Sequence, residues 1–199
     1  MRLVKPSSLK LWWISSWNGR TPSSLRLKFR QSCGRCILTG SLMKMGAGAG
    51  LLFISPLSIH MRYVIRIHFA ASNNVAEYEA LVNGLKIAIE LGVRRLDVRG
   101  DSQLVIDQVM NASNCHDQKM EAYCKELRRL EDKFHGLELV HIARCYNEAA
   151  DELAKITSTR GMVPPDAFSR DLHEPSVDLG SGADVETTAP NKPTPSRPC

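Results

Sequence analysis

The sequence predicts an α/β domain, a mixed β-sheet flanked by helices. Three observations lead there. Between residues 41 and 158, segments with two-residue alternation are interleaved with segments of 3.6-residue period. Their order, ββ-α-β-α-α-β-α, requires both antiparallel and parallel neighbours in one sheet. Three carboxylates then recur where a strand ends or a helix begins: Glu77, Asp101 and Asp151.

The elements follow in order. Gly46 to Gly50 reads as a flexible lead into a strand at Leu51–Ile54, which Pro56 ends. Met61 to Phe69 sets Tyr63, Ile65 and Ile67 against Arg62, Val64, Arg66 and His68, the alternation of a second strand. The longest helix is expected over about 75–91, with Leu81, Leu85, Ala88 and Ile89 as its apolar stripe and Gly92 as its stop. Leu96–Arg99 is a short strand, and Ser102–Met110 a helix. Met120–Phe134 is a charged helix with Tyr123, Leu127 and Leu130 inward. Leu137–Ala143 is the last expected strand, and Asn147–Thr157 the last helix.

The flanks differ from this core. Residues 1–45 carry nine basic residues, and no acid precedes Glu77, so a net charge of +5 conceals a net negative remainder. Residues 1–40 are therefore set apart as a basic, poorly ordered segment, and 41–158 as the domain. Residues 159–199 hold seven of the ten prolines and are expected to be a disordered tail. No apolar run approaches the ~20 residues that span a bilayer, and no signal peptide is evident, so an intracellular protein without membrane attachment is expected. Six scattered cysteines suggest reduced thiols. Cys33-Gly-Arg-Cys36 has metal-ligand spacing but lacks a second pair to complete a tetrahedral site.

Each carboxylate has a bland reading beside the chemical one. Asn74-x-x-Glu77 matches a capping box. Asp101 suits an N-cap. Asp151, one turn into a helix, is favoured by the helix dipole. Glu79 falls on another face and reads as solvated. The chemical reading is that several carboxylates converge on two cations about 4 Å apart to hydrolyse a phosphodiester.

The ordered set Asn73-Asn74-Val75-Ala76-Glu77, Asp101-Ser102 and Asn147-to-Ala154 resembles the catalytic core of ribonuclease H. More closely, it resembles the ribonuclease H domain of plant gypsy-type retrotransposon polyproteins. The resemblance implies a ribonuclease H-like fold and metal-dependent hydrolysis of RNA in RNA–DNA hybrids. It implies Glu77, Asp101 and Asp151 as catalytic and metal-binding residues, and Mg²⁺ in a two-metal site. Asn73, Asn74, Ser102 and Gln103 would contact the nucleic acid, and no small-molecule cofactor is expected. Two departures stand out. Thr39-Gly40-Ser41 occupies the place of the family's first Asp-Gly-Ser, so a neutral hydroxyl replaces a shared anionic ligand. The histidine of some members' mobile loop is also missing, and His141 reads as structural or superficial.

The departure begins abruptly at Thr39 and runs back to Met1. Allowed codons for Cys33–Gly40, read in a shifted frame, give Trp-Thr-Met-Tyr-Phe-Asp-Gly, which restores the Asp. In the same frame Trp12-Trp13 must yield Val, Trp13-Ile14 Asp, and Trp17-Asn18 Glu. Three readings of the N-terminal segment follow: a frameshift by-product, a nucleic-acid arm or a transit peptide.

Overall fold

The computed structural model describes residues 33–110 and 117–178. The readings placed on residues 1–32, and the part of the expected tail from residue 179 onward, lie outside the described residues. Six strands, β1 (Cys33–Met43), β2 (Gly46–Ile54), β3 (His60–Ile67), β4 (Arg95–Gly100), β5 (Gly136–His141) and β6 (Ala167–Leu172), form one sheet in the order β5-β4-β1-β2-β3-β6. β1–β2 and β2–β3 are antiparallel, whereas β1–β4, β4–β5 and β3–β6 are parallel. The helices are α1 (Asn73–Glu90), α2 (Gln103–Met110), α3 (Gln118–Glu131) and α4 (Glu148–Ser158), with a short 3₁₀ turn at Arg144–Tyr146. The mixed sheet flanked by helices is as expected.

Two glycines show why the sheet accepts helices so closely. A Cβ on Gly40 would lie 2.4 Å from the Ala76 carbonyl carbon and the Glu77 nitrogen, so α1 rests on that face. A Cβ on Gly50 would lie 2.1 Å from the Ala150 carbonyl oxygen, so α4 rests on β2. Gly50 pairs with Thr39, next to Gly40, and successive strand residues face opposite ways. The two helices therefore press on opposite faces of the sheet at the same level. Cys36, Leu38, Leu51, Phe53, Tyr78, Leu81 and Leu85 form the core beneath α1.

Four expectations need correction. The boundary at 40/41 falls inside β1, whose central place between β4 and β2 makes residues 33–40 part of the sheet. Gly46–Gly50 is not a flexible lead but the first half of β2, because small residues are what the flanking helix tolerates there. Residues 167–172, within the expected disordered tail, pair with β3 as an edge strand. Glu79 is not solvated but fully buried. Smaller shifts also occur: α1 starts at Asn73, two residues early, while Gly92 ends it as expected, with φ of 77°. Cys33 and Cys36 cannot share an ion, since residues three apart in a strand face opposite sides.

Candidate functional site

The candidate site surrounds Leu38–Gly40 on the central strand. α1 and β4 bring Glu77 and Asp101 to this stretch, while α4 reaches it through Asn147, four residues before Asp151. α1 brings Glu77, whose carboxylate accepts the Gly40 N–H at 2.8 Å and the Thr39 hydroxyl at 3.3 Å. Register pairs Leu38 with Gly100, so β4 delivers Asp101 just past that pair. Asn147, fully buried, donates its side-chain amide to the Leu38 carbonyl at 3.2 Å. That bond ties the start of α4, and Asp151 one turn on, to β1.

The local readings of these acids fare differently. Ser72 caps α1, its hydroxyl accepting the Val75 N–H at 3.2 Å, so Glu77 is not the third residue of a capping box. It reaches across to β1 instead. α2 begins at Gln103, and Ser102 offers its carbonyl to Ile106 N–H at 3.2 Å. The Asp101 Oδ1 is buried and meets no hydrogen-bond donor. Asp151 does lie in the first turn of α4, but its oxygens are taken by two cations: Lys155 Nζ at 2.6 Å and Arg144 Nη2 at 3.3 Å.

Electrostatics separate the acids further. Burial pushes the Glu77 carboxyl up to about 7; the Gly40 amide opposes this, Asp101 adds to it, and Thr39 and Arg144 oppose it more weakly. Burial also pushes Asp151 upward, but the bonds from Lys155 and Arg144 outweigh it and hold Asp151 below the ordinary range. Near neutrality Glu77 is thus partly protonated while Asp151 is ionised and internally paired. Between Glu77 and Ser102 lies a small apolar cavity lined by Leu38, Leu81, Val98 and Val105.

These residues do not fit a two-cation centre as they stand. The orphaned Asp101 oxygen is the kind of acceptor a cation would satisfy. Thr39, however, is a neutral side chain whose one hydroxyl proton is shared between the Gly40 carbonyl at 3.2 Å and Glu77 at 3.3 Å, and Asp151 already has its counter-charges. Among the described residues, no three His, Cys, Asp or Glu side chains are grouped so as to hold a metal ion.

The family profile described as "Reverse transcriptase-like" matches residues 58–157. The chain belongs to that family. The match takes in the elements that carry Glu77, Asp101 and Asp151. Among curated relatives, a ribonuclease HI of Halobacterium salinarum is 38% identical over 84 residues, 42% of each chain. The bifunctional protein Rv2228c of Mycobacterium tuberculosis is 29% identical over 124 residues, 62% of this chain and 31% of that protein. The chain thus spans less than half the length of these two relatives. Two solved structures share the fold. Ribonuclease H1 of Halobacterium salinarum matches with a TM-score of 0.57 at 28% identity, over 63% of this chain and 97% of that one. The N-terminal ribonuclease H domain of Rv2228c matches with a TM-score of 0.56 at 25% identity, over 64% and 94%. The family member described here therefore has a ribonuclease H-like domain.

The remaining expected contact residues sit beside this site. Asn73 and Asn74 are exposed at the start of α1. Ser102 is half-buried; Gln103 is exposed and donates to both Asp107 oxygens at 2.8 Å. His141 is exposed, with Nε2 3.3 Å from the Asp101 carbonyl. Sequence reasoning overlooked Arg144, Lys155 and the anchoring role of Asn147. Lys155 had a signal, an Asp151/Lys155 pair at i,i+4. Arg144 had none, because its reach to Asp151 depends on the 3₁₀ turn. No helix among the described residues is long and apolar enough to cross a membrane.

Proposed function

We propose that the chain is an RNA–DNA hybrid-binding ribonuclease H-type domain whose metal-dependent hydrolysis of the RNA strand is impaired. Thr39 carries this reading. It stands at the centre of the sheet, buried, with its hydroxyl between the Gly40 carbonyl and Glu77, at the place where the resemblance puts an anionic ligand. Two-ion phosphodiester chemistry relies on carboxylates shared between the cations, and a hydroxyl supplies no charge. Glu77, Asp101 and Asp151 are the acids proposed for that chemistry, with Mg²⁺ as the expected ion. Asn73, Asn74, Ser102 and Gln103 are proposed to contact the duplex backbone and the 2′-hydroxyls that distinguish RNA from DNA. Membership of the family and 38% identity to a protein named ribonuclease HI support hybrid recognition. The motif set supports descent from a plant gypsy-type retrotransposon.

A labelled RNA–DNA hybrid tests the proposal, with binding and cleavage measured separately with and without Mg²⁺. The expected result is binding with cleavage near background. Thr39→Asp should raise Mg²⁺-dependent cleavage by about tenfold or more, since metal stabilisation of the developing charge is worth several kcal/mol. Exchanging Cys33–Thr39 for the frame-shifted segment should raise it further, because strand pattern and ligand change together. Strong cleavage by the unaltered chain would overturn the impairment. Neither binding nor cleavage would point to an interaction module that has kept only the fold.

A further inference from the structure

Beyond α4 the chain turns back across the domain. Arg160 donates to the Ile67 carbonyl at 2.7 Å, and Arg66 donates to the Gly161 carbonyl at 2.8 Å. β6 then runs parallel to β3, with Phe168 stacked on Tyr63 at 5.0 Å between ring centroids. His68 stacks on His173 at 4.7 Å, and its Nε2 lies 2.7 Å from Asp171. Arg170 pairs with Glu90, and Arg62 with Asp166. These ion pairs are largely solvent-accessible, and exposed pairs hold little on their own.

The far end of the segment is different. The Ser176 N–H donates to Glu79 Oε1 at 2.7 Å, on a carboxylate with no exposed surface. The other donors to Glu79 belong to the domain body: Tyr123 O–H at 2.7 Å and Asn83 Nδ2 at 3.0 Å. Asn83 also reaches the Ser176 hydroxyl at 3.1 Å, and Lys86 the Ser176 carbonyl at 3.4 Å. Leu172 and Val177 pack on the core. A buried carboxyl group is costly unless its lone pairs are met. Glu79 therefore favours the state in which the segment is closed.

We propose that residues 160–178 form a strap latched onto α1 by the Ser176–Glu79 bond, which opens and closes as a unit. Opening removes both the cover and one donor from Glu79, so partial fraying from the end is penalised. Release of the latch frees β6 and uncovers the edge of β3.

Amide hydrogen exchange on the full chain tests the strap. In the unaltered chain, residues 167–176 should be protected and should exchange together. Ser176→Pro removes the N–H and should speed exchange across β6 and β3 by about tenfold or more. Ser176→Ala keeps the N–H and should change it by less than about threefold. Equal responses to the two substitutions, or no response to Ser176→Pro, would overturn the latch. Exchange in the unaltered chain that rises progressively from Val177 back to Ala167 would also overturn it, whatever the variants do.

Discussion

Glu77 and Glu79 stand two residues apart on one helix, and both are buried, but they have opposite surroundings. Glu77 faces β1, where one backbone amide and one long hydroxyl bond answer it, beside an apolar cavity and near Asp101. Glu79 faces α3 and the strap, where a phenol, a side-chain amide and a backbone amide, each within 3.0 Å, enclose it. The difference shows that burial alone does not mark a chemical group. Glu79 has its donors built in and serves as a structural pin. Glu77 is short of donors, and that shortfall leaves it free for another partner.

Substituting the pin should have the largest effect. Glu79→Leu strands Tyr123 O–H and Ser176 N–H in a closed site, where each unmet donor costs about 1–3 kcal/mol, while Asn83 keeps the residue-79 carbonyl and the Ser176 hydroxyl. A loss of roughly 4 kcal/mol in urea unfolding is expected, with Glu79→Gln losing less than half of that. Similar losses for both variants would show that the charge, not the bonding, matters.

Gly40→Ala tests the other side. Its Cβ would meet Ala76 and Glu77 backbone at 2.4 Å, forcing α1 outward. Overpacking of this kind typically costs about 1–3 kcal/mol. Exchange protection around Glu77 should fall before protection around Glu79 does; uniform loss would mean the two regions are one unit.

The pH dependence of stability tests Glu77 directly. The Glu77 carboxyl, ordinarily near 4.5, is raised to about 7 by burial, so the folded chain holds an extra proton between those values. Its contribution is fully present below about pH 4.5 and declines as pH rises through about 7, with a ceiling on the order of 3 kcal/mol. Glu77→Gln should remove this decline from the stability–pH curve. An identical curve in the variant would refute the assignment.

The smallest effect is expected at Thr39. Thr39→Val deletes a 3.3 Å bond to Glu77 at a cost of about 1 kcal/mol. Because that bond opposes the upward push on Glu77, its loss should move the carboxyl titration higher, as carboxyl NMR would read. A downward movement would mean that the hydroxyl does not favour the ionised form.

Much of the domain was legible in the chain. The Gly92 stop, the inward Tyr123, Leu127 and Leu130 and the strand at β3 are local patterns, and they folded as read; the one-sided apolar stripe of α1 did not, because the helix is enclosed all round from Val75 to Leu85 while Ile89 is only partly buried. β1 was harder to see, because in Cys33–Met43 glycine and arginine interrupt the apolar alternation. Its strand character comes from its place between β4 and β2. The Pro-rich flanks disguised β6, which pairs because β3 offers it an edge.

By itself, the sequence determined where helices and strands recur and which acids stand at their ends, since periodicity and caps act over one or two turns. It also determined that Thr39 brings no charge to the central strand. Only the tertiary structure decided that Glu77 turns to Gly40 rather than to its own helix, and that Asp151 is paired with Arg144 and Lys155. Burial of Glu79 belongs to the same class, because its donors Tyr123 and Ser176 lie 44 and 97 residues away. Partners that distant meet only when the sheet has ordered its strands, and no local pattern in the chain encodes their meeting.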